Sequence, residues 1–161
     1  WAGRIVSRFS DEAVRAIVHT GGFTDPEAEA HLAEVLLRRR DKVVAWTFRQ
    51  VNPVGEFSIE EIEGRPVVTF RNLGEEAGLA AVESYEYAWL RLDNATGATE
   101  ALAGDRGTTF SRRLPVPASE DAYLVLRLWT TSAGEPGWNR RVDVTLRREG
   151  GWSVIGVDRE G

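Results

Sequence analysis

The sequence contains no cysteine and no methionine, only two histidines, and a single lysine, Lys42. Without cysteine, the chain cannot form a disulfide, a thiolate zinc site or a thiol nucleophile. Both histidines, His19 and His31, lie in segments with helical periodicity, where we interpret them as ordinary helix-surface residues. No apolar run approaches the roughly 18 to 20 residues of a membrane span, so we expect no transmembrane segment.

Sequence motifs that fix a reaction are also missing. There is no P-loop, no HExxH zinc motif, no glycine-rich dinucleotide turn, no EF-hand loop and no nucleophile elbow. Acidic residues cluster at Glu60, Glu61 and Glu63 and at Glu75 and Glu76, but at these spacings we interpret them as exposed turns rather than as a cation site. We therefore expect no cofactor and no metal, and the catalytic residues of any enzyme function are unknown.

The charge balance is acidic. The 161 residues include 20 basic and 25 acidic side chains, which gives a net charge of -5. Binding to nucleic acid needs a basic surface that displaces counterions from the phosphates, so we expect no nucleic acid partner. The chain is 42% hydrophobic, which suits one domain that buries a single core.

The first 50 residues carry the signals of two helices. A short helix is predicted over residues 11–20, because Ser10 can cap its first turn and Gly21 offers a left-handed stop. A longer helix begins at Pro26, after Asp25 as N-cap, with a capping box of Thr24 and Glu27 as the alternative start, and nothing breaks it before Asn52 and Pro53. Its buried stripe is predicted to consist of six apolar residues at helical spacing: Ala28, Leu32, Val35, Leu36, Val43 and Trp46.

A dense run of charge lies near the end of the longer helix: Arg38, Arg39, Arg40, Asp41 and Lys42. Successive helical residues point about 100° apart, so these side chains cannot all line one concave site. Cations near the C-terminal end of a helix also suit its dipole. We interpret the run as a solvated or domain-packing surface, and an anion site is the alternative.

After residue 53 the apolar residues recur with a period of two, which indicates strands. Residues 86–92 and 122–130 alternate clearly, and residues 141–157 read as a hairpin that turns at Gly150 and Gly151. Turns are predicted at 64–66, 94–97, 104–107 and 134–137. Weaker strands are predicted at 54–62, 66–72 and 108–114.

These elements predict an α+β fold, with an N-terminal helical hairpin packed on an antiparallel β-sandwich of about seven strands. A single domain is expected over residues 1–161, with a helical part at 1–50, a β-sandwich part at 54–161 and a seam between them. Because the chain begins with Trp1 and has no methionine, we expect it to be a fragment of a longer protein.

Six tryptophans supply material for a binding surface. Trp138 lies in "AGEPGWNRR", beside Asn139 and Arg140, at the end of a Gly/Pro loop. Its ring is interpreted either as folded back onto the sandwich or as a platform for a sugar. A second group of aromatic residues is predicted to form a strip across neighbouring strands, either covered by the long helix, which we favour, or open to a ligand: Tyr87, Trp89, Tyr123 and Trp129.

The segment "RIVSRFSDEAVRAIVHTGGFTDPEAEAHLAEVLLRRRDKV", residues 4–43, resembles a segment near the C-terminus of large uncharacterised bacterial proteins. The match lies in the glycine, Asp-Pro and Arg-Arg-Asp-Lys positions, and in those proteins a β-rich tail follows. The resemblance implies an accessory C-terminal domain of a protein that is exported or periplasmic and carries an unrelated, kinase-like domain upstream. It also makes Arg39, Arg40, Asp41 and Lys42 a shared feature, and it implies no activity.

The sequence thus favours a non-enzymatic accessory domain of a larger bacterial protein. Its expected partner is the upstream domain of the same polypeptide, another protein or a carbohydrate. The alternative is a hydrolase that uses carboxylates. The candidate binding residues are Trp138, Asn139, Arg140, Arg39, Arg40, Asp41 and Lys42.

Overall fold

The computed structural model describes residues 2–160, which contain four α-helices and eight β-strands. A helical unit ends at Phe48, and a β unit begins at Arg49. The predicted class, helices followed by an antiparallel β-sandwich, is confirmed, with eight strands where about seven were predicted. Across the described residues, no helix combines the length and the apolarity that a membrane crossing requires.

Three helices belong to the N-terminal part of the chain: α1 (Ala2–Val6), α2 (Asp11–His19) and α3 (Pro26–Gln50). The first of them was not predicted. The other two begin as predicted, because the Ser10 hydroxyl accepts from the amide of Ala13 at 3.1 Å, and the Asp25 carboxylate accepts from the amide of Glu27 at 2.9 Å. Each bond satisfies an amide that the first turn of a helix leaves free.

The predicted buried stripe of α3 is wrong. The residues that the helical unit buries are Val18, Ala33, Leu37, Val44 and Phe48. On α3, Ala33, Leu37 and Val44 each follow a predicted position by one residue, which rotates the buried face by about 100°. Leu32, Leu36, Val43 and Trp46 are instead exposed, by 36%, 36%, 44% and 69%. Arg15 of α2 pairs with Glu34 of α3 at 2.8 Å, but both side chains are about half exposed, so this pair accompanies the rotation and does not explain it.

The β unit consists of two antiparallel sheets with the strand orders β1-β2-β5 and β4-β3-β6-β7-β8. A short helix, α4 (Leu73–Glu76), follows β2, and a 3₁₀ helix spans Pro136–Asn139. The strands are β1 (Val54–Ile62), β2 (Arg65–Asn72), β3 (Ser84–Leu92), β4 (Thr99–Thr109), β5 (Arg113–Pro115), β6 (Tyr123–Thr131), β7 (Val142–Arg148) and β8 (Trp152–Arg159).

The inner faces of the two sheets form one apolar core. Its buried members are Val54, Val68, Phe70, Tyr85, Trp89, Leu114, Val116, Leu124, Leu126, Leu128, Val142, Val144 and Leu146. Most of them alternate along their strands, as residues of a sheet with one buried face do. The β1–β2 turn is a two-residue loop in which Glu63 and Gly64 have φ angles of 52° and 71°, the left-handed pair that joins tightly twisted hairpins.

The register of β3 against β6 separates the predicted aromatic strip. Trp89 stands opposite Leu126 and therefore faces the core, whereas Trp129 stands opposite Glu86 on the other face of the sheet. Because paired residues of antiparallel strands share a face, the two tryptophans cannot lie side by side. The predicted strip is therefore wrong.

The turn predicted at residues 104–107 and the strand predicted at 108–114 are also wrong. Residues 99–109 form a single strand, and the pairing of β3 with β4 shifts between Ala88 and Leu90. Gly104 has a φ of 86°, a left-handed conformation that glycine adopts without strain. The glycine therefore marks an irregularity within a strand, as isolated strand glycines often do.

Candidate functional site

The candidate site is a cleft of about 1040 Å³ within the β unit. Its walls come from the inner face of the five-stranded sheet, from β2 and β5 of the smaller sheet, and from the loop at residues 116–120 that follows β5. Because β5 has only three residues, the smaller sheet covers less of the opposite sheet on this side. Part of the inner face is thereby left open to a ligand.

Three aromatic side chains line the cleft: Tyr87 and Trp89 from β3 and Trp152 from β8. Trp89 is only 2% exposed, so it forms the floor. Tyr87 and Trp152 are half-buried, which leaves part of each ring accessible. The cleft thus combines an apolar floor with two aromatic walls, an arrangement typical of small-ligand sites.

Arg148 holds one wall of the cleft in place. It pairs across the β7–β8 hairpin with Trp152, and its guanidinium carbon lies 5.6 Å from the centre of that ring, within the range of a cation–π contact. The same guanidinium donates to the carbonyls of Ser119 and Glu120, both at 2.6 Å. One side chain therefore connects the tryptophan to the 116–120 loop, and both are fixed before any ligand binds.

The second aromatic wall depends on a glycine. Tyr87 of β3 stands opposite Gly107 of β4, and a Cβ atom placed on Gly107 would lie 3.2 Å from the Tyr87 hydroxyl oxygen. The missing side chain therefore leaves the space that the Tyr87 ring occupies. A larger residue at 107 would push that ring toward the cleft or away from it.

Three charged side chains at the cleft are available to bind a ligand. Arg65 and Glu120 are exposed, and Asp105 is half-buried. Within residues 2–160, none of the three side chains makes an ion pair or a side-chain hydrogen bond. A guanidinium and two carboxylates therefore offer both donors and acceptors beside the aromatic walls.

A second charged cluster on the inner face of the sheets is fully paired. Arg112 donates to the Tyr85 hydroxyl at 3.2 Å and to the carboxylate of Glu75, which also accepts from the amide of Val82 at 3.1 Å. Burial raises the pKa of Tyr85 to about 12. The partner of each group lies within the cluster, so we interpret it as a structural network. No group of three or more metal-ligating side chains occurs in the part of the chain that the structure describes.

Trp138 is not the exposed platform that one interpretation of its loop predicted. Its side chain is 0% exposed and packs against Gly74 and Pro53. The ring therefore folds back onto the sandwich and offers no surface to a sugar. Asn139 is exposed and Arg140 is half-buried, but neither lines the cleft.

The charge run at the end of α3 divides into two pairs with different surroundings. Arg40 bonds to Asp41 and to Asp11, both at 2.7 Å, and its hydrogen bond to Asp41 raises the pKa of Arg40. It also donates to the carbonyl of Phe9 at 2.8 Å, so it joins α3 to the start of α2. Arg39 and Lys42 are exposed, and neither makes an ion pair with any other described residue.

The sequence interpretation missed most of the cleft. Tyr87 and Trp89 were named only as part of the strip, while Arg65, Asp105 and Arg148 were not named at all. One local signal was present but was not used: Arg148 and Trp152 flank the predicted hairpin turn, a position from which cross-strand pairing could have been inferred. The other members are far apart in sequence and carry no motif.

No protein-family model, no curated protein and no solved structure matches the chain. The resemblance of residues 4–43 to a segment of large bacterial proteins stays a prediction. The geometry of the cleft and of the helical unit carries the proposals that follow.

Proposed function

We propose that the chain is a non-catalytic accessory module whose β unit binds a short carbohydrate chain. The observation that carries this proposal is the cleft of about 1040 Å³ with three aromatic side chains and free charged groups at its edge. That volume is at the upper end of the range for small-ligand sites. It has room for several linked sugar rings.

Carbohydrate suits the cleft because a sugar ring has two kinds of surface. Its C–H faces pack on aromatic rings such as those of Tyr87 and Trp152, and its hydroxyls bond to charged and polar groups. Asp105 can accept from such hydroxyls, and Arg65 can donate to them. Both charged groups lack a partner in the described chain, so a ligand would not have to break an existing ion pair.

The fixed position of Trp152 also supports binding. Its contact with Arg148, and the bonds of Arg148 to the 116–120 loop, order this wall without ligand. A wall that is ordered before binding reduces the conformational entropy that is lost when the ligand binds. Carbohydrates bind weakly to proteins in general, so this saving is large relative to the total binding energy.

We further propose that the module works within a larger bacterial protein. The resemblance of residues 4–43 is what supports this part. In such a protein the cleft would hold a polysaccharide while another domain carries out the reaction on it. The chain itself would then need no catalytic group.

The test is isothermal titration of the chain with a defined panel of hexasaccharides. The panel contains a neutral β-1,4-glucan, a chitin fragment and an oligogalacturonate, which differ in substituents and charge. We expect at least one to bind, and we expect Trp152→Ala and Asp105→Asn each to weaken that binding about tenfold, which corresponds to about 1.4 kcal/mol. Trp46→Ala is the matched control, because Trp46 is exposed but does not line the cleft.

Two results would contradict the carbohydrate proposal. One is the absence of binding to every member of the panel. The other is binding that Trp46→Ala weakens as much as Trp152→Ala does, because the sugar would then bind elsewhere. Thermal melting of each variant shows whether a loss of binding reflects a loss of fold.

The alternative function is hydrolysis by carboxylates, and one observation favours it: Asp105 and Glu120 line the same cleft. A glycosidase uses two such groups on either side of the scissile bond. If the chain is this kind of enzyme, it should release reducing sugar from the oligosaccharide that it binds, and Glu120→Gln should abolish that release. Binding without release supports the accessory module.

A further inference from the structure

The helical unit exposes more apolar side chains than the β unit does. Among residues 2–160, eleven large apolar side chains are exposed, and eight of them lie in the helical unit. Four of the eight lie on α3 itself: Leu32, Leu36, Val43 and Trp46. A patch of this kind on a small unit indicates a surface that binds another molecule.

The four residues on α3 follow a heptad pattern. Together with Arg39 they occupy positions 32, 36, 39, 43 and 46, which are separated by alternating steps of four and three. This is the spacing at which one helix packs along another. We call the five residues the α3 seam: Leu32, Leu36, Arg39, Val43 and Trp46. The helical unit does not need the seam for its own core, because that core uses the neighbouring face of α3.

The charges around the seam restrict its partner. Arg39 lies at the midpoint of the seam, and neither Arg39 nor the nearby Lys42 makes an ion pair among the described residues. Two copies of this helix, aligned in register either parallel or antiparallel, would place Arg39 against its own counterpart. Like charges brought together in an apolar contact oppose association. A second copy is therefore a poor partner.

A lipid surface is also a poor match. Helix α3 carries five basic and four acidic side chains, whereas helices that lie on anionic membranes have a clear basic excess. Its first turn is acidic, with Glu27 and Glu29. An anionic surface would attract one half of the helix and repel the other.

We propose that the α3 seam binds an amphipathic helix of a partner protein that carries a carboxylate at the centre of its apolar face. The carboxylate would pair with Arg39 while apolar side chains on both sides cover Leu32, Leu36, Val43 and Trp46. A single polar residue within an apolar seam sets register and partner choice in helix pairs. This interaction is independent of the cleft, because no seam residue lines it.

The test uses two synthetic helical peptides, each three heptads long and stapled so that they are helical before binding. Both have leucine at the seam positions, and they differ at the central seam position, which is glutamate in one and lysine in the other. We expect the chain to bind the glutamate peptide about tenfold more tightly than the lysine peptide. Calorimetry reports the binding, and the part of the tryptophan fluorescence change that Trp46→Phe removes reports contact with the seam, since the chain has six tryptophans.

Charge reversal makes the test specific. Arg39→Glu should invert the preference, so that the lysine peptide binds more tightly. Arg38→Glu is the matched control, because Arg38 is also an exposed arginine on α3 but points about 100° away from Arg39. It should keep the original preference. Arg39→Leu should make the seam self-complementary, so that this variant dimerises in sedimentation while the unmodified chain stays monomeric.

Each remaining outcome overturns the proposal. Equal affinity for the two peptides, or a preference that Arg39→Glu fails to invert, would show that Arg39 does not select the partner. Dimerisation of the unmodified chain would make a second copy the partner. Binding to vesicles of equal phosphatidylglycerol and phosphatidylcholine, without binding to either peptide, would make a membrane the partner. A Trp46 that a soluble quencher cannot reach in the free chain would show that the seam is already covered.

Discussion

Replacing Gly74 with alanine should destabilise the β unit by about 2 kcal/mol, since overpacking of a full core costs about 1–3 kcal/mol. The added methyl would lie 2.8 Å from Cγ of Pro53 and closer still to the indole of Trp138. That indole is 0% exposed, so any movement of the ring has to displace its neighbours in the core. The backbone at Gly74 is itself held, because its amide donates to the Asn72 side chain at 3.1 Å.

Thermal and urea unfolding measure the effect. For a unit of this size, 2 kcal/mol corresponds to a fall in Tm of about 8 °C. A double-mutant cycle identifies the cause. Trp138→Leu alone should cost about 2 to 4 kcal/mol because it leaves a cavity. In that background, the extra methyl of Gly74→Ala should cost clearly less than in the unmodified chain, because the indole no longer fills this space and only the 2.8 Å approach to Pro53 remains.

Gly151→Ala is the matched control. A Cβ at Gly151 would have no heavy atom within 4 Å, and the residue is not in a left-handed conformation. Its replacement should change stability by no more than about 0.5 kcal/mol. An equal cost of Gly74→Ala with and without Trp138 would refute the packing argument.

Three further substitutions test other parts of the structure. Arg40→Gln should lower stability by about 1 kcal/mol because it breaks the bonds between α3 and α2, whereas Arg39→Gln should leave melting unchanged; equal losses would contradict the division of the charge run. Because burial raises the pKa of Tyr85 to about 12 from about 10 in an unfolded chain, the folded state holds this proton more tightly. The raised pKa therefore contributes to the free energy of unfolding. This contribution is complete below about pH 10 and is lost between about pH 10 and 12. Tyr85→Phe should therefore flatten the fall in Tm over this range, and an unchanged slope would assign the fall to other groups. Gly107→Ala should weaken binding of the hexasaccharide a few-fold without unfolding the β unit, since it displaces Tyr87; unchanged affinity would show that this ring is not a binding wall.

Local signals predicted most of the secondary structure. The N-caps of α2 and α3 depend on one side chain each, and Ser10 and Asp25 both make the expected bonds. The alternation in residues 122–130 likewise predicted a strand with one fully apolar face, and Leu124, Leu126 and Leu128 on that face are all buried. These features depend on residues within one turn or one strand of each other. A single sequence is enough to show them.

The cleft could not be predicted in the same way. Its lining comes from six strands and a loop, and Arg65 lies 83 positions before Arg148 in the sequence. What brings these residues together is strand order and register. The strand order β4-β3-β6-β7-β8 cannot be deduced from the spacing of apolar residues along the chain. Trp89 and Trp129 are a second example. Both of their strands were predicted, but only the register between the strands shows that the two rings lie on opposite faces of the sheet.

Helix α3 shows why periodicity alone could not decide which of its faces is buried. It carries two apolar stripes, one with Leu32, Leu36 and Val43 and one with Ala33, Leu37 and Val44, and the second is the first shifted by one residue. Both have helical spacing, so each satisfies the pattern of a buried face. Which stripe is buried depends on how α3 packs within the helical unit, and the spacing along a single helix does not show this. The exposed stripe has the spacing of a packing surface, but it contributes nothing to the core of the helical unit. The charge-reversal experiment on Arg39 tests whether a helix of a partner protein covers this stripe.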